Sequence, residues 1–359
     1  ALSACSTPWI ETDGGDWRTL LATMESNGSG NIRVSIEPEP DETSFLASFE
    51  PLDPERLSHL RFLQVEDSIP YRATDETADS NPYNRSSAAF LSSSTTVNWP
   101  IQTTDGALEG RTHKLTVGIA DTTRSYRQGT ARVGVMLKAD PDPASGLLRV
   151  NLIFGGALVD DEGLYAATED AIQVWRDIYA SAGIQLDVVL FQAPYSTLAG
   201  PGQGDAPQWR EIAESTRFGA VNVVLVEEIG GQPGAFGLAG GIPGPLAYTG
   251  QSAVAINAVL TAGADGVFDR QESRLLGESM AHEVGHFLGL YHPVEKTFER
   301  WDGLDDTPVC EAELPCVEAL GDNLMFPYPI GCNSEIGCLP QERISVEQAE
   351  VMNRYTGVL

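Results

Sequence analysis

The sequence predicts two domains: an all-β, sandwich-like domain over residues 1–145, followed by an α/β domain with a twisted sheet over residues 146–359. Three observations predict it. The chain has 359 residues, more than one ordinary domain uses. Short β-prone runs separated by polar turns, with no helical periodicity, fill the first part. From residue 147 onward, apolar strand-like runs alternate with helical patterns, and strand–helix–strand order implies crossovers onto a largely parallel sheet.

The β-prone runs of the first domain are residues 31–37 (NIRVSIE), 59–65, 88–97, 111–120 (RTHKLTVGIA) and 130–138 (TARVGVMLK). Several alternate apolar and polar side chains, which puts one face on a core and the other in water. His59 and His113 stand alone there and read as structural or solvated histidines. The prolines and glycine of residues 139–146 (ADPDPASG) predict the linker. Residues 147–154 (LLRVNLIF) then read as a buried strand. A helix over residues 169–181 is predicted from Ile172, Trp175, Ile178 and Tyr179 on one face, with Thr168 as N-cap and Gly183 as stop. Residues 184–191, 221–227 and 252–257 are further strands, and the Gly/Pro-rich stretch 230–250 forms loops around an edge strand. Helical spacing returns over residues 272–289, through Leu276, Met280, Val284 and Phe287 or Leu288. Ser345 with Gln348 makes a capping box that opens a last helix.

Twenty-two basic against 51 acidic residues leave a formal charge of −29. Such a surface repels phosphate backbones, which excludes nucleic acid as a partner, and repels anionic lipid. Only Lys114, Lys138 and Lys296 are lysines; this fits either a saline habitat or a generic acidic exported protein. No run reaches the ~18 apolar residues of a membrane span. Cys310, Cys316, Cys332 and Cys338 cluster near the C-terminus and predict two disulfides of open connectivity, against a structural zinc site whose usual C-x(2–4)-C spacing is narrower. Cys5 is separate. Leu2-Ser3-Ala4-Cys5 is similar to a bacterial lipobox, so residues 1–4 are expected to be a signal-peptide remnant and Cys5 a lipidation site, the one route to a membrane. The expected location is outside the cytoplasm of a bacterium, either extracellular or at the cell surface as an outer-membrane lipoprotein.

The chemistry concentrates in residues 282–292, HEVGHFLGLYH. His282 and His286 are four apart, so on a helix both imidazoles leave one face and can reach a single zinc ion. Glu283 is then beside the metal's open position, where it can act as general base toward a water. Gly289 permits a sharp turn that brings His292 back as a third nitrogen ligand. Three protein ligands leave a fourth position free, which distinguishes a catalytic zinc site from a structural one. The full H-E-x-x-H-x-x-G-x-x-H pattern uses three of the five histidines in the chain.

That extended motif resembles the signature of the metzincin zinc peptidases, and Asn323-Leu324-Met325 resembles their Met-turn. The resemblance implies a mixed twisted sheet, an active-site helix, and Met325 as an apolar floor beneath the zinc; without it, Met325 is simply a core methionine. Within the clan, residues 302–308 (DGLDDTP), the nearby cysteines and the segment containing Gln348 are similar to the pappalysin-like family. In that family an Asp-rich loop contributes to calcium binding, which makes Asp302, Asp305, Asp306 and Thr307 calcium ligands by resemblance; a solvated acidic loop is the other reading. Relatives place an oxyanion-stabilising tyrosine two residues after the methionine. Here Pro327 holds that position and Tyr328 follows. The likeness covers residues 147–359, and a cysteine latency switch has no cysteine between residues 6 and 309 to use. The implied activity is endopeptidase cleavage of a protein or peptide lying extended near residues 236–241. Two other classes fit part of the pattern. One is a surface adhesion or carbohydrate-binding protein on an inactive scaffold, against which the intact Glu283 speaks. The other is a zinc hydrolase of a non-peptide amide.

Overall fold

The computed structural model describes residues 10–13, 15–72, 91–108, 110–140, 143–200, 207–247, 249–262, 266–330 and 339–359. Cys5, Cys332 and Cys338 lie outside them, so lipidation and a second disulfide have no counterpart among the described residues. The chain divides into two compact units, residues 1–141 with Leu359 and residues 142–358.

The described residues of the first unit are β-rich and form two antiparallel sheets. One antiparallel sheet joins β1 (Ile10–Asp13), β2 (Trp17–Glu25), β9 (Thr130–Ala139), β4 (Glu42–Pro51) and β7 (Thr95–Trp99), in that spatial order. The other joins β3 (Asn31–Ile36), β8 (His113–Asp121), β5 (Arg56–Val65) and β6 (Ser68–Arg72). Phe45 of β4 meets the His113 ring of β8 edge-on at 5.6 Å, which ties the two sheets through their inner faces. Strand β4 escapes sequence reading because nearly every residue in it is buried, and a strand covered on both faces loses its alternation. Both isolated histidines are held within this unit: His113 Nδ1 lies 3.0 Å from the Arg111 carbonyl, and His59 Nε2 lies 2.7 Å from the Tyr126 hydroxyl.

The second unit is built on a five-stranded sheet ordered β11 (Ile184–Ala193), β10 (Gly146–Gly155), β13 (Val221–Val226), β16 (Val254–Asn257) and β15 (Gly237–Ala239). The first four run parallel, and the edge strand β15 runs antiparallel to β16. Strands β12 (Thr197–Ala199) and β14 (Glu228–Gly230) form a small parallel pair beside it. Helix α1 (Glu162–Ala180) begins seven residues before its expected start. Its cap is Asp161, which accepts from the Gly163 and Leu164 amides at 2.9 and 3.0 Å; Thr168 lies inside the helix, its hydroxyl donating back to the Leu164 carbonyl. Leu164 and Ala167 extend the buried stripe toward the N-terminus, which is why the helix runs on. Helix α2 (Pro207–Ser215) was not expected; it buries Trp209 and Ile212 against the sheet.

Helix α3 (Ala258–Thr261) is a single turn, and α4 (Arg270–Phe287) carries the first half of the histidine motif. Asp269 and Glu272 close a capping box at its start, saturating amide donors that would otherwise be exposed. Helices α1 and α4 pack closely because Gly277 has no side chain: a Cβ there would lie 2.6 Å from the Ala171 carbonyl oxygen. The Tyr179 hydroxyl donates to the Ala281 carbonyl at 2.9 Å, one residue before His282. After α4 the chain forms α5 (Glu313–Leu320) and α6 (Val346–Arg354), the latter opened by the expected Ser345–Gln348 box. None of the described helices is long and apolar enough to cross a membrane.

Candidate metal centre

The last turn of α4 presents His282 and His286 on one side, and the chain reverses just beyond it. Gly289 has φ of +114°, a conformation L-residues avoid, and the Leu290 amide donates back to the Gly285 carbonyl at 3.0 Å. The reversal returns His292 to the other two. Ring centroids are 4.8, 5.3 and 4.7 Å apart for the pairs 282–286, 282–292 and 286–292, and one ligand atom from each residue lies within 4.8 Å of the others.

Each Nδ1 is tethered from outside the cluster. His282 Nδ1 donates to the Leu324 carbonyl and His286 Nδ1 to the Leu290 carbonyl, both at 2.7 Å, while His292 Nδ1 donates to Glu295 Oε2 at 3.1 Å. A carbonyl oxygen can only accept, so the first two nitrogens carry the hydrogens and their Nε2 lone pairs are free. Burial, then the neighbouring His292, lowers His282 to about 3 and holds His286 well below the ordinary imidazole range. These two rings are therefore neutral acceptors. His286 Nε2 and His292 Nε2 face each other at 3.1 Å. Tetrahedral ligands at ~2.05 Å from zinc would be separated by about 3.3 Å, close to this spacing. The donor set fits such an ion, with outer partners that fix tautomer and ring orientation.

Glu283, half-buried on the next position of α4, lies against the edge strand. Burial pushes its carboxyl up to about 8, opposed by a hydrogen bond from the Ala239 amide of β15. Gly237 of the same strand makes the room: a Cβ on it would stand 2.3 Å from Glu283 Cγ. Under the helix, Met325 is fully buried, and Gly285 leaves space for it, since a Cβ there would be 2.7 Å from the Met325 sulfur. Asn323 holds this turn. Its side chain exchanges hydrogen bonds of 2.8 and 3.2 Å with Gln348 and accepts from the Met325 amide at 2.9 Å.

No protein-family model matches the chain, and no curated protein does. Among solved structures, metalloproteinase-II from Bacteroides fragilis aligns at 16% identity and a TM-score of 0.29, over 48% of this chain and 54% of that one, so the chain spans about half its length. A family two carbohydrate esterase from Clostridium thermocellum, an active-site mutant, aligns at 12% identity and a TM-score of 0.16, over 62% of this chain and 65% of that one. Its counterpart from Cellvibrio japonicus aligns at 10% and 0.11, over 59% and 68%. These are partial likenesses, and the functional reading rests on the site itself.

The acidic loop is tied into the fold. Asp302 Oδ1 accepts from the Leu304 amide and the Thr307 hydroxyl, at 3.0 and 2.7 Å. Asp306 accepts from the Ser345 hydroxyl and the Glu347 amide at the start of α6, and the Asp305 amide donates to Glu347. These groups serve the fold as turn and cap acceptors, and among the described residues only the three histidines gather as a metal-ligand group. Tyr328 has an aromatic partner and an acidic one. It packs on Phe326 at 5.0 Å within the cluster around Val294, Cys316 and Ile330, and its hydroxyl is directed to Glu313 at 3.4 Å. Cys310 and Cys316 form a disulfide in the same cluster. Sequence reasoning missed Glu295, whose only signal is an acidic residue three positions after the last histidine. It also missed Gly237, which has no signal at all without the fold.

Proposed function

We propose that the chain is a zinc-dependent endopeptidase of the metzincin type. The observation that carries this is the convergence of three imidazole Nε2 atoms, each fixed from behind through Nδ1, beside a carboxyl that rests on a sheet edge. His282, His286 and His292 would hold the ion. When bound, zinc supplies a Lewis acid that polarises a carbonyl and makes water nucleophilic near neutral pH.

Glu283 is the proton carrier. Its carboxyl takes a proton from the attacking water and returns it to the leaving amine. Strand β15 presents an open edge next to Glu283, where an extended peptide can add main-chain hydrogen bonds. Met325 against Gly285 supports the metzincin type; the pappalysin-like family is the finer reading, on residues 302–308. The Cys310–Cys316 disulfide accords with an oxidising compartment, which supports export.

A peptide-library digest by wild type and by Glu283→Ala, with metal content measured on the same samples, tests the proposal. Cleavage by the wild type, lost in the variant at unchanged zinc content, is the expected result. Zinc-loaded wild type that cleaves no peptide bond sinks the peptidase reading and leaves the adhesion protein or the non-peptide amidase.

A further inference from the structure

The outer face of the four-stranded sheet β3-β8-β5-β6 carries a cationic groove in a chain of formal charge −29. Along β3, burial alternates so that Ile32, Val34 and Ile36 enter the core while Arg33 and Ser35 face out. On β8 the same alternation turns Lys114 and Thr116 outward. In register, Arg33 is opposite Thr116, Thr116 opposite Phe62, and Phe62 opposite Arg72, so one row of side chains crosses all four strands. At about 4.8 Å between strands, Arg33 and Arg72 leave the sheet roughly 14 Å apart. Lys114 stands opposite Gln64 in the next row.

A β-bulge prepares this row. The pairing of β5 with β8 skips Arg61, between fully buried Leu60 and Leu63, so both Arg61 and Phe62 turn away from the core. The Phe62 ring then stacks with two guanidiniums, Arg72 at 5.2 Å and Arg61 at 5.7 Å from its centroid. The resulting groove encloses about 500 Å³, and among the described residues no carboxylate lines it. Other cations of the unit are paired: Arg18, Arg127, Arg132 and Lys138 each lie within 3.3 Å of an Asp or Glu oxygen. Among the described residues Arg33, Arg72 and Lys114 have no such partner.

We propose that this groove binds an acidic polysaccharide, taking its uronate carboxylates on Arg33, Arg72 and Lys114. Spaced cations flanking an aromatic ring match charges carried on alternating, partly apolar sugar rings. The guanidinium fork matches a carboxylate in plane, and the Gln64 amide and Thr116 hydroxyl can exchange hydrogen bonds with sugar hydroxyls. An acidic peptide fits less well, because the face of a sheet offers none of the free main-chain groups an extended peptide uses. Nucleic acid carries more charge per length than a uronate chain, so the field of the whole chain opposes it more strongly.

The test is a binding isotherm for the full chain with alginate oligosaccharides, run beside dextran sulfate, neutral dextran and poly-glutamate. Saturable alginate binding is expected, weakened about tenfold or more by Arg33→Ser/Lys114→Ser and by raising salt from about 50 to about 200 mM. Melting curves check that the double variant is folded, and Arg72→Ser, on the exposed edge strand, provides an independent second variant. No saturable alginate binding, or equal binding by both folded variants, overturns the proposal. Tighter binding of dextran sulfate or poly-glutamate overturns the uronate or the glycan assignment, and equal binding of neutral dextran overturns the role of the cations.

Discussion

Gly237→Ala should disable Glu283 without touching a metal ligand. The added Cβ would sit 2.3 Å from Glu283 Cγ, 2.8 Å from Cδ and 2.9 Å from Oε1, whereas ordinary contact begins at 3.4 Å. Glu283 must therefore retreat by at least about 1.1 Å. The main chain at 237 is ordinary extended strand, so alanine adds no backbone strain and the sheet edge should persist. A reacting group misplaced by ~1 Å costs on the order of 100-fold, or about 2.7 kcal/mol of barrier. We expect kcat to fall by about that factor, with zinc content and melting temperature close to wild type. The assay is kcat and KM on a cleaved fluorogenic peptide, with metal analysis of each sample. Because glycine acts here only through Glu283, Gly237→Ala should have no further effect in a Glu283→Ala background. Wild-type kcat in Gly237→Ala, or full additivity of the two changes, refutes this account of the base.

Other predictions follow from the contacts around the site. Glu295→Ala should weaken zinc binding about 10–100-fold in competition with a chromogenic chelator, while Glu295→Gln, which keeps an acceptor for His292 Nδ1, should recover most of it. Asn323→Leu strands the buried Gln348 amide and the Met325 N–H, and should cost about 3 kcal/mol or more in urea unfolding. Glu278, 4% exposed on α4, has its carboxyl pushed up by burial to about 7 despite Arg274 Nε at 3.1 Å. Between its ordinary 4.5 and 7 the folded chain holds a proton the unfolded chain has lost, so stability falls as pH rises through that window. Glu278→Gln should flatten that slope and unfold later than wild type at pH 8, by about 3 kcal/mol. His113 runs the other way: burial lowers it to about 4, so its contribution is lost as pH falls from 6.5 toward 4, which pH-dependent melts of His113→Asn against wild type will show.

Legibility in the sequence follows how local each cause is. The ligand helix, its two histidines and the glycine turn are set by spacing within eleven residues, so they could be read directly. Strands whose one face meets water, such as β3 and β8, announced themselves by alternation. Strand β4, buried along nearly its whole length, did not. The start of α1 was misread because a threonine in a helix and a threonine at a cap look alike in sequence. Only the structure shows the Thr168 hydroxyl satisfied by the Leu164 carbonyl. The acidic loop has two readings in sequence for a related reason: carboxylates that cap turns and helices have the same composition as carboxylates that hold a cation. Gly237 and Glu283 are 46 positions apart, and their contact exists only because β15 lies along α4.

The tethers on Nδ1 also change what the turn at residues 323–325 is for. Met325 fills space beneath Gly285, a task many apolar side chains of similar volume can perform. Leu324 does something less replaceable: its carbonyl receives the hydrogen of His282 Nδ1 and so fixes which nitrogen faces the centre. That carbonyl is positioned in turn by the Leu324 amide donating to the Arg343 carbonyl at 2.8 Å, and by the fully buried Asn323–Gln348 amide pair. The His282 imidazole is thus aimed by a chain of main-chain and amide contacts that runs out to α6, 66 positions along the sequence. Two of the three imidazoles answer to backbone carbonyls that side-chain substitution cannot remove. Only His292 answers to a side chain, Glu295, so on the proposed metal site His292 would be the point where affinity for an ion could be tuned without disturbing the fold.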